Sequence, residues 1–218
     1  MHGRDPFAWL TTLRFTADAP THFMTTIVKG LIFDCDGTLA DTMPLHWQAW
    51  QSVTRRYGIH FAEERFYRLG GVPSRHILQM LREEQRLSID PLSVSKEKES
   101  AYLELLSHVA PIEVVVDVAR EHAGNLPMAV ASGGTKTVIE KVLVHLGIRN
   151  LFGAVVTSED VVNQKPAPDI FLEAARRIGV LPQFCRAYED TDLGLQAIRA
   201  AGMQGVDVRE LLTRGKGH

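Results

Sequence analysis

The sequence predicts an α/β protein: a doubly wound parallel sheet, Rossmann-like in its alternation, with a small all-helical cap inserted after the first strand. Three observations point there. Short runs of β-formers alternate with segments of helical spacing through residues 109–218, the pattern of parallel strands joined by crossover helices. One further strand, Val28-Lys29-Gly30-Leu31-Ile32-Phe33, stands ahead of that alternation. Between the two, residues 43–108 carry helical spacing alone, so an insert separates the first strand from the second.

Residues 1–25 do not share the periodicity of the rest of the chain and are read as an extension without assigned role, although Trp9, Leu10, Leu13 and Phe15 offer apolar surface. In the insert, Leu45, Ala49, Trp50, Val53 and Tyr57 form one apolar helical stripe. A second stripe runs Val94, Lys98, Tyr102, Leu105, which puts an ammonium on an inward face. Such a lysine either snorkels along apolar surface or points at an anionic ligand. Met128–Ala131, Ala154–Val156, Arg186–Tyr188 and Gly205–Val208 are the later strands. The helices between them stop at Gly147, Gly179 and Gly202, each a good C-terminal signal. The core therefore takes residues 26–42 and 109–218, and the cap takes 43–108. An insert at this point lies over the carboxyl end of the first strand, where open α/β sheets bind ligands.

With 218 residues and 45% hydrophobic content, the chain has ample material for a packed interior. The 24 basic and 26 acidic residues leave a net charge of −2, which gives no electrostatic footprint for nucleic acid or an anionic membrane. A small-molecule ligand and a monomer are expected. Cys35 and Cys185 form no CxxC pair and read as reduced, strand-buried thiols. With no membrane-length apolar run and no secretory leader, a cytoplasmic location is expected.

Chemistry concentrates at strand ends. Ile32-Phe33-Asp34-Cys35-Asp36-Gly37-Thr38 ends an apolar run with two carboxylates two residues apart. On an extended strand they share a face, roughly 6–7 Å apart. Facing a phosphate dianion, they call for a compensating cation, and Mg²⁺ suits an oxygen-only donor set. Ser132 opens Ser-Gly-Gly-Thr after the second strand, where its hydroxyl and the amides freed at Gly133 suit phosphate oxygens, or where it merely caps a turn. Lys165 stands in Gln-Lys-Pro-Ala-Pro-Asp just before a helix, against the dipole, which suggests an anionic partner or an ordinary exposed lysine. Glu189 and Asp190 end the fourth strand, and one of them should reach a metal more directly than the other; the alternative is an acidic loop with Asp190 or Thr191 as helix cap.

In this order, DxDGT, Ser132, KPxPD and EDxxxG resemble the haloacid dehalogenase superfamily of phosphoryl-transfer enzymes, over residues 26–210. The helical cap, Asp41-Thr42 with His46 and Trp50, Leu69-Gly70-Gly71-Val72-Pro73 and YEDTDLGLQAIRAAGM resemble its beta-phosphoglucomutase-like subgroup, nearest to sugar phosphatases of the fructose-1-phosphate and 6-phosphogluconate type. The resemblance implies a nucleophile at Asp34, an acid and base at Asp36, and Mg²⁺ on Asp34, the Asp36 carbonyl and Asp190 with Glu189 in support. It also implies that Ser132 and Lys165 hold the phosphoryl group. His46, Trp50, Gly71, Arg75, Lys98 and Gly133 are the implied substrate contacts. Ser74 stands where the mutases present an arginine to a second phosphate, with Arg75 one position later, which favours water as final acceptor. A Mg²⁺-dependent sugar phosphatase is the leading expectation. A beta-phosphoglucomutase and a non-catalytic phosphosugar-binding protein are the alternatives.

Overall fold

A computed structural model describes residues 27–214, so the extension at 1–25 lies outside the described residues. Five parallel strands form the main sheet: β1 (Gly30–Phe33), β4 (Met128–Ala131), β5 (Ala154–Val156), β6 (Cys185–Glu189) and β7 (Gln204–Asp207), in the order β5-β4-β1-β6-β7. Two further strands, β2 (Ala40–Asp41) and β3 (Ala110–Pro111), pair antiparallel where the chain leaves for the insert and returns. The insert holds α1 (Met43–Tyr57), α2 (Glu63–Arg68), α3 (Ser74–Gln85) and α4 (Pro91–Leu103). The sheet is flanked by α5 (Glu113–His122), α6 (Lys136–His145), α7 (Asp169–Arg177), α8 (Asp192–Ala200) and α9 (Val208–Arg214).

The strands read as unbroken apolar runs because both faces of the sheet are covered. On β1, Leu31 and Phe33 enter one layer with Met128, Val130, Val142, Leu143 and Tyr188, while Ile32 enters the opposite layer with Ala129, Ala131, Phe171, Ala187 and Ile198. Phe33 stacks on Tyr188 with ring centroids 4.8 Å apart. A third apolar cluster runs from Trp50 to Val94 and gives the insert an interior of its own. The stops at Gly147, Gly179 and Gly202 all adopt positive φ, as a left-handed helix end requires.

Several expectations need correction. The first strand begins at Gly30 rather than Val28, and the last covers Gln204–Asp207 because Val208 opens α9. Cys35 is fully buried but lies beyond the end of β1, in the turn, so it is no strand residue; Cys185 is. The regular strand ends at Phe33, but Asp34 N–H still donates to the Tyr188 carbonyl at 3.0 Å, and Asp36 bridges to Ala40 around a turn at Gly37, whose φ is +84°. Strand order reverses between β1 and β6. Their carboxyl ends open the crevice in which such sheets place ligands, and there Asp34 meets Glu189 and Asp190.

Candidate active site

Asp34 follows β1 directly and is 3% exposed. Its Oδ1 accepts from Lys165 Nζ at 2.6 Å, and the same ammonium donates to Glu189 Oε2 at 2.7 Å. Lys165 is thus no exposed lysine but a buried cation locked between two carboxylates, which raise its pKa further than burial lowers it. The other Glu189 oxygen accepts from the backbone N–H groups of Asp190 and Thr191 and from the Thr191 hydroxyl. Both Glu189 oxygens are therefore engaged. Among the described side chains, Asp190 accepts from Thr38 Oγ1 alone, at 2.9 Å, and is the freer of the two to ligate a cation. Thr191 also caps α8 by accepting from Gly194 N–H, so the helix cap and the acidic pair expected as alternatives occur together.

Asp34, Glu189 and Asp190 bring carboxylate oxygens within 4.8 Å of one another. Burial and the neighbouring Glu189 push Asp34 well above the usual carboxylate range and raise Asp190 to about 7, although Lys165 pulls both down. Two buried acids and the partly buried Asp190 against one ammonium leave excess negative charge, and all their donors are hard oxygens. That set fits a divalent cation such as Mg²⁺. Two glycines leave the room the acids occupy: a Cβ at Gly194 would sit 2.1 Å from Glu189 Cδ, and one at Gly37 would sit 2.3 Å from Asp190 Oδ2.

Asp36 faces the insert. Its Oδ1 accepts from Thr42 Oγ1 at 2.7 Å and contacts His46 Nε2 at 3.1 Å, which leaves Oδ2 for a substrate oxygen. Burial would raise its pKa, but His46 and Thr42, which bond to it, and the charge of Lys98 hold it below the usual carboxylate range. Lys98 Nζ lies 2.8 Å from His46 Nδ1 and is 4% exposed, so it points inward and does not snorkel. An ammonium can only donate, so His46 accepts at Nδ1 and donates from Nε2 to Asp36 as a neutral imidazole. Burial and the neighbouring ammonium lower His46, in agreement with that tautomer. Tyr102 stacks on the imidazole at 3.8 Å and fixes its plane.

Ser132, 1% exposed, follows β4 with its Oγ accepting from Gly134 N–H at 3.1 Å, and its hydroxyl proton is left to point elsewhere. At Gly133 an added Cβ would lie 2.1 Å from the Gly71 carbonyl oxygen, so the loops of core and insert meet here with no space for a side chain. Gly71 also lies against the Lys165 stem and has φ +81°. Trp50 is 1% exposed and packs with Phe61 inside the insert, with one edge on the site. Arg75 is exposed but lines the same cavity, as does Ser74.

These residues enclose a cavity of about 750 Å³ that carries Asp34, Asp36, His46, Trp50, Lys98 and Ser132 in its walls. Thr38 and Thr191 as partners of the acids, the Tyr102 stack, and Glu99 and Thr135 in the wall were not among the sequence candidates. Thr38 had a signal in its place directly after the DxDG turn, while Thr191 was offered only as a helix cap and Tyr102 only as part of the inward stripe.

Comparison with known proteins places the chain. Residues 31–208 match the family model described as haloacid dehalogenase-like hydrolase. The chain is 44% identical over 183 residues to the fructose-1-phosphate phosphatase YqaB of Escherichia coli, covering 84% of this chain and 97% of that protein. It is 30% identical over 190 residues to the beta-phosphoglucomutase of Bacillus subtilis, covering 83% of each. The crystal structure of beta-phosphoglucomutase from Clostridium difficile superposes with a TM-score of 0.72 at 28% identity, covering 83% of this chain and 84% of that one. The chain therefore belongs to the haloacid dehalogenase-like hydrolases, on the beta-phosphoglucomutase-like side of that family.

Proposed function

We propose that the chain is a Mg²⁺-dependent phosphatase of small sugar phosphates that works through an aspartyl-phosphate at Asp34. One observation carries the reading: Asp34, backed by Lys165, Glu189 and Asp190, faces the cavity that also holds the Asp36–His46–Lys98 chain. Similarity to a phosphatase named for fructose 1-phosphate supports the substrate class.

Asp34 attacks phosphorus, and the sugar oxygen leaves with a proton from Asp36 Oδ2. Water then attacks the acyl phosphate while Asp36 takes its proton, freeing phosphate and restoring both acids. Asp34, Asp190 and the Asp36 carbonyl, with Glu189 in support, would hold Mg²⁺, which would offset negative charge on the phosphoryl oxygens. Lys165 orients the nucleophile and, with Ser132, binds those oxygens, and the backbone at Gly71 and Gly133 closes around them. Asp36 is a carboxylate in the free site; seating a phosphate dianion beside it raises its proton affinity, so it takes one proton from solvent as the substrate binds, gives that proton to the leaving oxygen and regains one from the attacking water. Lys98 orients His46 against Asp36, and Trp50 and Arg75 flank the sugar. Residues 43–108 act as a cap that turns about the β2–β3 ribbon, so closure excludes water from the site.

Phosphate release from fructose 1-phosphate, beta-glucose 1-phosphate and 6-phosphogluconate, with Mg²⁺ or with EDTA, tests the reading. Release that needs Mg²⁺ is expected. Accumulation of glucose 6-phosphate from beta-glucose 1-phosphate without release would instead establish a mutase, and no turnover of any kind a binding protein.

A further inference from the structure

The cavity extends well beyond the groups a phosphate needs, and its far wall carries a carboxylate with no place in the chemistry above. Glu99 follows Lys98 on α4, lines the same cavity and is half-buried. Its Oε2 accepts from Thr135 Oγ1 at 3.3 Å, from the residue that precedes α6, so it spans from insert to core. Burial raises its pKa, and Glu159 on the opposite loop adds to that. Lys98, the adjacent cation, is already committed to His46 Nδ1. Among the described residues Glu99 makes no ion pair. Besides Lys98, the Arg and Lys side chains on this cavity, Arg75 and Lys96, are exposed, so water and salt screen them more strongly than the half-buried carboxylate.

We propose that Glu99 is a specificity-determining residue, whose carboxylate accepts hydrogen bonds from the neutral hydroxyls at the far end of the sugar and rejects a second anionic group there. The proposal rests on the phosphatase reading and deepens it to phosphomonoesters of neutral polyols and sugars, against aldonate phosphates and bisphosphates. A carboxylate accepts from hydroxyl groups with charge-assisted bonds. The same carboxylate repels a carboxylate or phosphate brought into a partly desolvated space, so one group supplies both attraction and exclusion.

Glucitol 6-phosphate and 6-phosphogluconate make the probe pair, because they differ only in a terminal CH₂OH or COO⁻. Phosphate release with Mg²⁺ gives kcat/KM for each compound with the wild type, Glu99→Gln and Glu99→Asp. The wild type is expected to favour glucitol 6-phosphate by about tenfold or more, the scale of one partly screened like-charge contact. Glu99→Gln should reduce that preference at least about fivefold, mainly through a lower KM for 6-phosphogluconate, and Glu99→Asp, which keeps the charge, should retain most of it. A wild type that favours 6-phosphogluconate, or a preference that Glu99→Gln leaves unchanged, overturns the role of Glu99 alone. No release from either compound or from fructose 1-phosphate overturns the phosphatase reading and the proposal with it.

Discussion

Replacing Lys98 by methionine removes a charge that the fold holds at a cost, and the pH dependence of that cost can be worked out. Burial lowers the Lys98 pKa from its ordinary 10.5 to about 8, against the pull of Asp36 and Glu99. Between those two values the unfolded chain still holds a proton that the folded chain has released. Wild-type stability therefore rises with pH across that window. At about 1.4 kcal/mol per pKa unit, the gain between pH 7 and pH 10 is about 2–3 kcal/mol. Lys98→Met has no such group and should lack this gain. The variant also loses the bond to His46 Nδ1, but the imidazole is neutral throughout the window, so that loss is the same at both pH values. Urea unfolding of both proteins at pH 7 and pH 10 gives the difference directly. The wild type should improve on the variant by about 2–3 kcal/mol as pH rises. A difference that stays constant within about 0.5 kcal/mol would refute the buried ammonium, and with it the Lys98–His46–Asp36 arrangement.

Gly194→Ala places a methyl group 2.1 Å from Glu189 Cδ in a fully buried contact, and should lower stability by about 3 kcal/mol or more in chemical unfolding. Tyr102→Phe removes a buried hydroxyl that has no hydrogen-bond partner among the described residues, so its unfolding free energy should match or exceed the wild type by up to about 1 kcal/mol. Adding Mg²⁺ should raise the Tm of the wild type, because a ligand that binds only the folded chain stabilises it, and should raise that of Asp190→Asn far less. An equal shift in both proteins would remove Asp190 from the metal site.

The core was legible because parallel strands covered on both faces must read as short apolar runs, and because its helices stop at glycines that only a left-handed end favours. Other elements left no such trace. The β2–β3 ribbon has two residues per strand, too few for any periodicity. In α5, the run Val114-Val115-Val116 has the β-branched character of a strand, and packing decides for helix: Val115, Val116 and Ala119 are buried while Val114 is exposed. At the site, the carboxylates and Lys165 were readable as residue types, but the division of labour between Glu189 and Asp190 rests on hydrogen bonds from Thr38, Thr191 and two backbone amides. Glu99 carried no signal at all. Its meaning comes from a contact with Thr135, 36 residues away.

The central claim is that Asp34 becomes phosphorylated during turnover, and trapping that bond tests it most directly. Enzyme quenched in acid while hydrolysing fructose 1-phosphate, then reduced with borohydride, converts an acyl phosphate at an aspartate into homoserine. Peptide mass spectrometry of the segment that holds Asp34 and Asp36 locates the change. Homoserine at position 34 alone, absent without Mg²⁺, is the predicted result. Turnover with homoserine at position 36, or with both aspartates unmodified, would contradict the account.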